Sequence, residues 1–399
     1  MNKLIITRWN GCIITLLQSG KETLQIDIEP EESHSFLGNI YIGKVNNIVK
    51  NINAAFVDIG NGQMGYLSLG DSSVHFADGR VSDGKLRQGD EIVVQVERDA
   101  VKTKAPVLTG NLNITGRYFV LTSGKKQIGF SAKIQDLGWK QQMKEYLEGE
   151  KADWGIIVRT NAYSAPMDSL KEELHLLKGR LSDILTHAGH RTCYSLLYGS
   201  SPSYLSGLRD SFQSSLESVV TDEQDIYDAI KEYLSEHQQE DLHLLTYYED
   251  PLLPLKKLYR IEKTMSEALG KKVWMKSGGY LVIEPTEALV VIDVNTGKYS
   301  GKKALRETIM KINLEAAEEI GHQIRLRNLS GIIVIDFIDM EREEDKKFLL
   351  KRLEEIVSRD PVKTTVVEIT KLNLVEITRK KIRKPLCEQA LQMKEKISL

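Results

Sequence analysis

Two stretches in the C-terminal half limit what this chain can fold into more than anything else in it: Val290-Val291-Ile292-Asp293-Val294-Asn295-Thr296-Gly297 and Ile332-Ile333-Val334-Ile335-Asp336-Phe337. Each is a short, β-branched apolar run that leads into an aspartate. Such a run predicts a strand buried on both faces, with its carboxylate at the C-terminal edge of the sheet, where α/β folds place ligands and chemistry. Between them Leu305, Ile309, Ile312, Ala316, Ile320 and Ile324 recur at three- and four-residue spacing, and Asn328-Leu329-Ser330-Gly331 ends the pattern, which predicts a helix. A strand, a helix and a strand in this order form a crossover unit with parallel strands, so both aspartates emerge at one edge.

Two carboxylates from neighbouring strands can share one hard cation such as Mg2+, which takes one or two carboxylates and keeps waters for phosphate oxygens. Asn295 lies two residues beyond Asp293 and points to the same side of an extended chain, where its amide can orient water or phosphate. A single strand-end aspartate is more often an N-cap or turn residue; the pair is what points to metal-assisted phosphodiester hydrolysis. Lys363, at the start of a further strand predicted over Thr364–Ile369, reads on its own as a solvated surface residue. A nucleoside triphosphatase is the competing reading, because Gly297-Lys298-Tyr299-Ser300-Gly301-Lys302-Lys303 follows a strand and opens a helix. That loop is one residue short between its glycines, and Lys303 stands where a phosphate loop needs Ser or Thr.

The rest of the chain sets the frame. Its 399 residues suffice for two to four domains, and 41% hydrophobic with 28% charged residues is ordinary for a globular protein. A net charge of −2 gives no overall pull toward nucleic acid, so affinity for it must come from local clusters. Cys12, Cys193 and Cys387 are far apart and form no C-x-x-C pair, which fits a reducing cytoplasm and gives no zinc knuckle or disulfide framework. No signal peptide or membrane span is expected.

Residues 1 to about 35 predict a β-hairpin turned at Gln18-Ser19-Gly20-Lys21. Short strands at Asn39–Val45, Ala54–Gly60, Met64–Leu69 and Asp90–Val96, separated by glycine turns, predict a small closed barrel of the OB type. There Phe56 and Tyr66, with Lys44 and Lys104 nearby in sequence, could stack single-stranded bases, although Phe56 fits equally as a core filler. A strand pair, Tyr118–Leu121 and Gly155–Arg159, with a helix through Leu170–Leu185, predicts a compact α/β insertion. Residues 206–275 read as mainly helical, packing on the N-terminal hairpin. His187-Ala188-Gly189-His190 reads as a surface turn rather than a metal pair, and Arg379-Lys380-Lys381-Ile382-Arg383-Lys384 as a basic tail with a solvated face.

Taken together, Gly38-Asn39-Ile40-Tyr41, Ala54–Gly60, Val158-Arg159-Thr160, Lys276-Ser277-Gly278-Gly279, Ile292–Gly297, Asn313-Leu314-Glu315-Ala316-Ala317, Arg325–Leu329 and Gly331–Met340 resemble the ribonuclease E/G family, its G branch more closely than its E branch. The resemblance covers nearly the whole chain. It implies an α/β and β multidomain protein in which residues 1–35 and 206–276 form a split RNase H-like part, 36–117 an S1 barrel of the OB type, 118–205 a 5′ sensor, and 277–399 a DNase I-like α/β catalytic part. It further implies a cytoplasmic, Mg2+-dependent endoribonuclease that cuts single-stranded RNA in RNA processing and decay and favours 5′-monophosphorylated ends, a non-catalytic RNA-binding protein being the alternative. By the same resemblance Asp293 and Asp336 hold the metal and Asn295 and Lys363 complete the catalytic group. Gly116, Val120, Arg159 and Thr160 form the 5′-phosphate pocket, and Phe56, Tyr66 and Lys104 contact RNA on the barrel. Family members usually carry a C-x-x-C after the catalytic part, through which two subunits share zinc. This sequence has only Cys387 there, so zinc is not expected and the oligomeric state stays open.

Overall fold

The N-terminal residues form a meander of three antiparallel strands, Asn2–Trp9, Cys12–Ser19 and Glu22–Pro30, in a computed structural model that describes residues 2–31, 36–70, 73–80, 85–98, 105–150, 154–210, 216–297 and 305–397. The single expected hairpin is therefore half of what is there. Asn10 and Gly11 both have positive φ (51° and 69°) and turn the first strand into the second, as an Asn-Gly hairpin turn does. The chain divides into two compact units, one made of Met1–Ser33 and Ser214–Leu399 and the other of His34–Gln213.

In the first unit, Leu216–Thr221 pairs in parallel with Asn2–Trp9, Ile5 opposite Val220, and Leu245–Tyr247 extends the sheet beyond it. The stretch 206–275 is mainly helical, as expected, and these two strands are what the expectation lacks. The run Val219-Val220-Thr221 is short, and the strong helical stripe of Ile226, Ile230 and Leu234 beside it dominates the pattern. Leu255, Ile261, Met265 and Ala268 pack against Ile5, Ile14, Leu16 and Ile26 in one core.

The second sheet of this unit runs in the order Lys272–Trp274, Tyr280–Pro285, Leu289–Asn295, Gly331–Asp336, Leu374–Arg379, Thr364–Ile369. The helices Leu305–Leu326 and Glu343–Val357 cover one face, with Ile312, Ala316, Ile320, Leu349 and Leu353 packed on Ile292, Val294, Ile333, Ile335 and Ile377. The other face is open: Val291 is 38% exposed, Ile332 50% and Val367 53%. This corrects the expectation of strands buried on both faces. Val and Ile suit any pleated surface, so their continuity did not report how many faces are covered. A second correction is the strand Leu374–Arg379, which lies between Gly331–Asp336 and Thr364–Ile369 and takes in Arg379, the first residue of the expected basic tail. Arg379, read as surface charge, is buried, its guanidinium paired with Asp360 at 2.7 Å and donating to Asn328 Oδ1.

In the second unit, Ile40–Val49, Ala54–Asp58, Met64–Ser68, Val107–Thr109 and Glu91–Arg98 close into a five-stranded barrel when Ile42 pairs with Val93. Closure of that kind removes the sheet edges and is consistent with the OB type. Val45, Val57, Leu67, Ile92, Val94 and Leu108 fill it. A four-stranded sheet, Asn113–Thr115, Phe119–Thr122, Gly155–Val158 and Ile128–Phe130, packs against the helix Met167–His187 through Phe119, Leu121, Ile156, Leu170, Leu174 and Leu177. Leu196–Tyr198 then returns to pair with Ile40–Val49 on the barrel sheet. Among the described residues no helix is long and apolar enough to cross a membrane.

Candidate active site

The parallel pairing of Leu289–Asn295 with Gly331–Asp336 sets Asp293 directly opposite Asp336. Paired residues of neighbouring strands share a face and lie about 4.8 Å apart, so both carboxylates stand side by side on the open face of the sheet. Asn295 joins them, two residues on, and its Nδ2 donates to Asp293 Oδ2 at 2.7 Å. Partial desolvation, followed by the charges of Asp293 and Asp339, holds the Asp336 carboxyl above the ordinary carboxylate range. The repulsion has a simple meaning: negative charge is concentrated here and, among the described residues, no side-chain cation pairs with Asp336, which is what a divalent ion would relieve.

Two glycines let the surrounding loops close on this edge. Gly297 has φ +62°, and a Cβ there would collide with the Gly278 carbonyl; a Cβ on Gly279 would meet the Asn295 carbonyl at 2.9 Å. Ser277 N donates to Glu315 on the crossover helix at 3.1 Å, tying the 275–279 loop to it. On the far side Asn313, fully buried in that helix, clamps the loop after Asp336. Its Nδ2 donates to the Ile338 carbonyl at 2.8 Å and its Oδ1 accepts from Ile338 N at 3.1 Å.

Lys363 does not reach this edge. Thr364 pairs with Arg379 and Arg379 with Gly331, so Lys363 lies at the opposite end of the sheet, about 20 Å from Asp336 by strand spacing and rise. Thr364–Ile369 runs in the same direction as Gly331–Asp336, both being antiparallel to Leu374–Arg379, so a residue that precedes it falls where those strands begin and not where the aspartates end them. The segment 298–304, which holds most of the phosphate-loop-like stretch, is outside the described residues.

The remaining expected residues lie in the second unit. Arg159 Nη1 donates to the Gly116 carbonyl at 2.6 Å, and Thr160 Oγ1 is 2.9 Å from Ser131 Oγ. Val120 pairs with Thr115 in the hairpin whose Gly116 N donates to Phe119 O, so Gly116, Val120, Arg159 and Thr160 are gathered at one end of the four-stranded sheet. On the barrel, Ala55 and Val57 fill the core while Phe56 lies half-buried against Tyr66, ring centroids 6.1 Å apart and edge to face. Core filling is thus not the role of Phe56. Lys104 lies outside the described residues.

A model of the Ribonuclease E/G family matches residues 113–382, spanning the four-stranded sheet and both aspartates. Ribonuclease G of Escherichia coli (strain K12) is 35% identical over 372 residues, covering 90% of this chain and 76% of that protein. This chain belongs to the ribonuclease E/G family. Ribonuclease G of Haemophilus influenzae is 33% identical over 388 residues, 94% of this chain and 79% of its own. Ribonuclease E of Nostoc sp. (strain PCC 7120) is 34% identical over 355 residues, 87% of this chain and 52% of its own.

Some residues beside these sites escape a reading of sequence alone. Asp339 and Asn313 were visible only as parts of longer matching stretches, and nothing local marks them as neighbours of Asp336. Glu173 left a signal: it interrupts the apolar stripe of Leu170, Leu174 and Leu177. Its buried carboxylate accepts from the backbone N–H groups of Arg117, Tyr118 and Phe119 at 2.7 to 2.9 Å. A Cβ on Gly116 would collide with that carboxylate, which would have to shift from its three backbone donors. Among the described residues no group of three or more His, Cys, Asp or Glu gathers as a metal cluster; the candidate metal position rests on two carboxylates.

Proposed function

We propose that Asp293 and Asp336 hold a divalent cation, Mg2+ by donor chemistry, and that this edge cleaves single-stranded RNA. That the chain is an endoribonuclease follows from its family. The observation that carries the catalytic assignment is the in-register pairing of Asp293 with Asp336 on an uncovered sheet face. When bound, Mg2+ supplies Lewis acidity: it lowers the pKa of water and offsets charge on the scissile phosphate. The chain's own groups do the rest. Asn295 fixes the orientation of the Asp293 carboxylate, and Asn313 holds the backbone that follows Asp336. Asp339 deepens the negative field.

The reading extends to the other parts. Residues 36–117 serve as the S1 barrel, with Phe56 and Tyr66, joined by Lys104, touching RNA bases. Residues 118–205 serve as the 5′ sensor, where the Arg159 guanidinium and Thr160 hydroxyl suit a terminal monophosphate. Residues 1–35 with 206–276 serve as the RNase H-like part and 277–399 as the DNase I-like part. Family resemblance and the grouping of the named side chains support these roles.

Cleavage of a short single-stranded RNA bearing a 5′-monophosphate, with and without Mg2+, tests the core of the proposal. Asp293→Asn and Asp336→Asn should each cut it about a thousandfold more slowly or worse, equivalent to about 4 kcal/mol of transition-state stabilisation, while still binding it. Full cleavage by either variant, or by the unaltered chain in EDTA, overturns the assignment. An unaltered chain that binds the RNA yet leaves it intact with Mg2+ would instead identify a non-catalytic RNA-binding protein.

A further inference from the structure

The open face that carries Asp293 and Asp336 continues to an aromatic corner. Trp274 pairs with Tyr280 and Tyr280 with Asn295; in the adjacent row Lys272 pairs with Val282, Val282 with Asp293 and Asp293 with Asp336. By strand spacing Tyr280 is about 5 Å and Trp274 about 10 Å across the sheet from Asn295. Val273 turns the other way and packs on the core under the helices, so Lys272 and Trp274 are on the same face as the aspartates. The two rings lie 5.2 Å apart, tilted by 57°, and the Lys272 ammonium sits 4.2 Å from the centre of the indole and 3.5 Å from that of the phenol. Trp274 nevertheless remains 64% exposed.

We propose that Trp274 and Tyr280, held by Lys272, form a stacking platform for a nucleobase of single-stranded RNA whose backbone passes the Asp293–Asp336 edge. The position of that backbone rests on the reading above. A large ring left open to water on an edge strand has no folding purpose that its core-facing neighbour Val273 does not already serve. Aromatic faces with an interleaved cation are the means by which proteins hold single-stranded bases without reading their sequence, and the Lys272 charge complements an anionic backbone beside two carboxylates that repel it. The corner therefore orients the strand: it seats the base next to the scissile phosphate and leaves the phosphate to the acidic edge.

Anisotropy measurements of binding to a short single-stranded oligoribonucleotide, with the full chain in EDTA, test this directly, each nucleotide being replaced in turn by an abasic one. Trp274 is exposed, so Trp274→Ala leaves the core intact, and Trp274→Phe keeps an aromatic face. We expect one abasic position to weaken binding by the unaltered chain about tenfold. Trp274→Ala should weaken binding to the complete RNA by a similar factor and show no further loss at that abasic position, and Trp274→Phe should retain most of the affinity. Unchanged affinity in Trp274→Ala, or two losses that multiply independently, overturns the platform. So does a change in oligomeric mass with RNA affinity intact, which would assign the rings to a contact between two copies. Cleavage is scored separately: RNA bound through Trp274 but never cut with Mg2+ refutes the nuclease reading alone.

Discussion

Replacing Asn313 by alanine probes how far the site depends on one buried amide. Asn313 is fully buried and holds both the N–H and the C=O of Ile338, two residues past Asp336. The substitution deletes two hydrogen bonds worth about 1 kcal/mol each and leaves two backbone groups short of partners, at about 1 to 3 kcal/mol apiece where water cannot reach them. Part of that loss is recovered because Ile338 is only partly buried, so the net cost should be roughly 2 to 4 kcal/mol. Asn313→Asp keeps the acceptor for Ile338 N but turns a second oxygen toward the Ile338 carbonyl and buries a charge, so it should cost at least as much. Because the clamped backbone positions Asp336 and Asp339, misplacement by about 1 Å would slow cleavage by roughly a hundredfold. Urea unfolding measures the first effect, and Mg2+ titration of RNA cleavage the second. A chain carrying Asn313→Ala that unfolds within about 0.5 kcal/mol of the parent and needs the same Mg2+ would refute the reasoning.

Other outcomes follow from the same geometry. Lys363→Ala should cleave RNA at close to the parent rate, because Lys363 sits at the opposite sheet end; a loss of tenfold or more, about 1.4 kcal/mol, would show that it reaches the reaction by a route absent from this strand order. Arg159→Ala should erase the preference for RNA with a 5′-monophosphate over the same RNA with a 5′-hydroxyl, while rates on the 5′-hydroxyl RNA stay constant; retained discrimination counts against the pocket. Burial lowers the pKa of His322, but the Glu319 hydrogen bond, the Thr23 carbonyl and the charges of Glu319 and Glu22 outweigh it and leave the value raised. Its stabilisation is therefore complete below the ordinary histidine pKa of about 6.5 and is lost as pH rises through the higher folded value. Urea midpoints should fall across that window in the parent and stay flatter in His322→Gln; parallel curves would exclude His322 as the cause.

What sequence made legible was whatever local patterning dictates. The apolar runs around Asp293 and Asp336 and the helical stripe between them specified a parallel crossover, and with it the register that brings the two carboxylates together. The glycine-punctuated strands likewise specified a barrel. What was not legible depends on partners remote in the chain. Leu374–Arg379 carries a clean alternation, Val375, Ile377 and Arg379 facing inward, but its last residue looks like the start of a basic tail unless Asp360 is known to neutralise it. Lys363 precedes a strand that runs in the same direction as Gly331–Asp336, and this alone sets it at the end remote from the aspartates. Asn10-Gly11 is a strong local turn signal, whereas Leu216–Thr221 becomes a strand only through the edge that Asn2–Trp9 offers it. The open sheet face could not be read from Val and Ile, because the same side chains serve under a helix and beside water.

The pairing of Ile5 with Val220 has a consequence for how the chain is made. Soon after it leaves the ribosome the first strand can zip to Cys12–Ser19 on one side, but its other partner follows only after the whole His34–Gln213 unit has emerged. At about 5 to 20 residues per second that is a delay of roughly 10 to 40 s, ample for the intervening barrel and its neighbouring sheet to mature first. Translation thus sets the order of assembly, and a nascent chain halted before Leu216 would carry a finished His34–Gln213 unit and an N-terminal meander whose first strand is open to any passing β-strand.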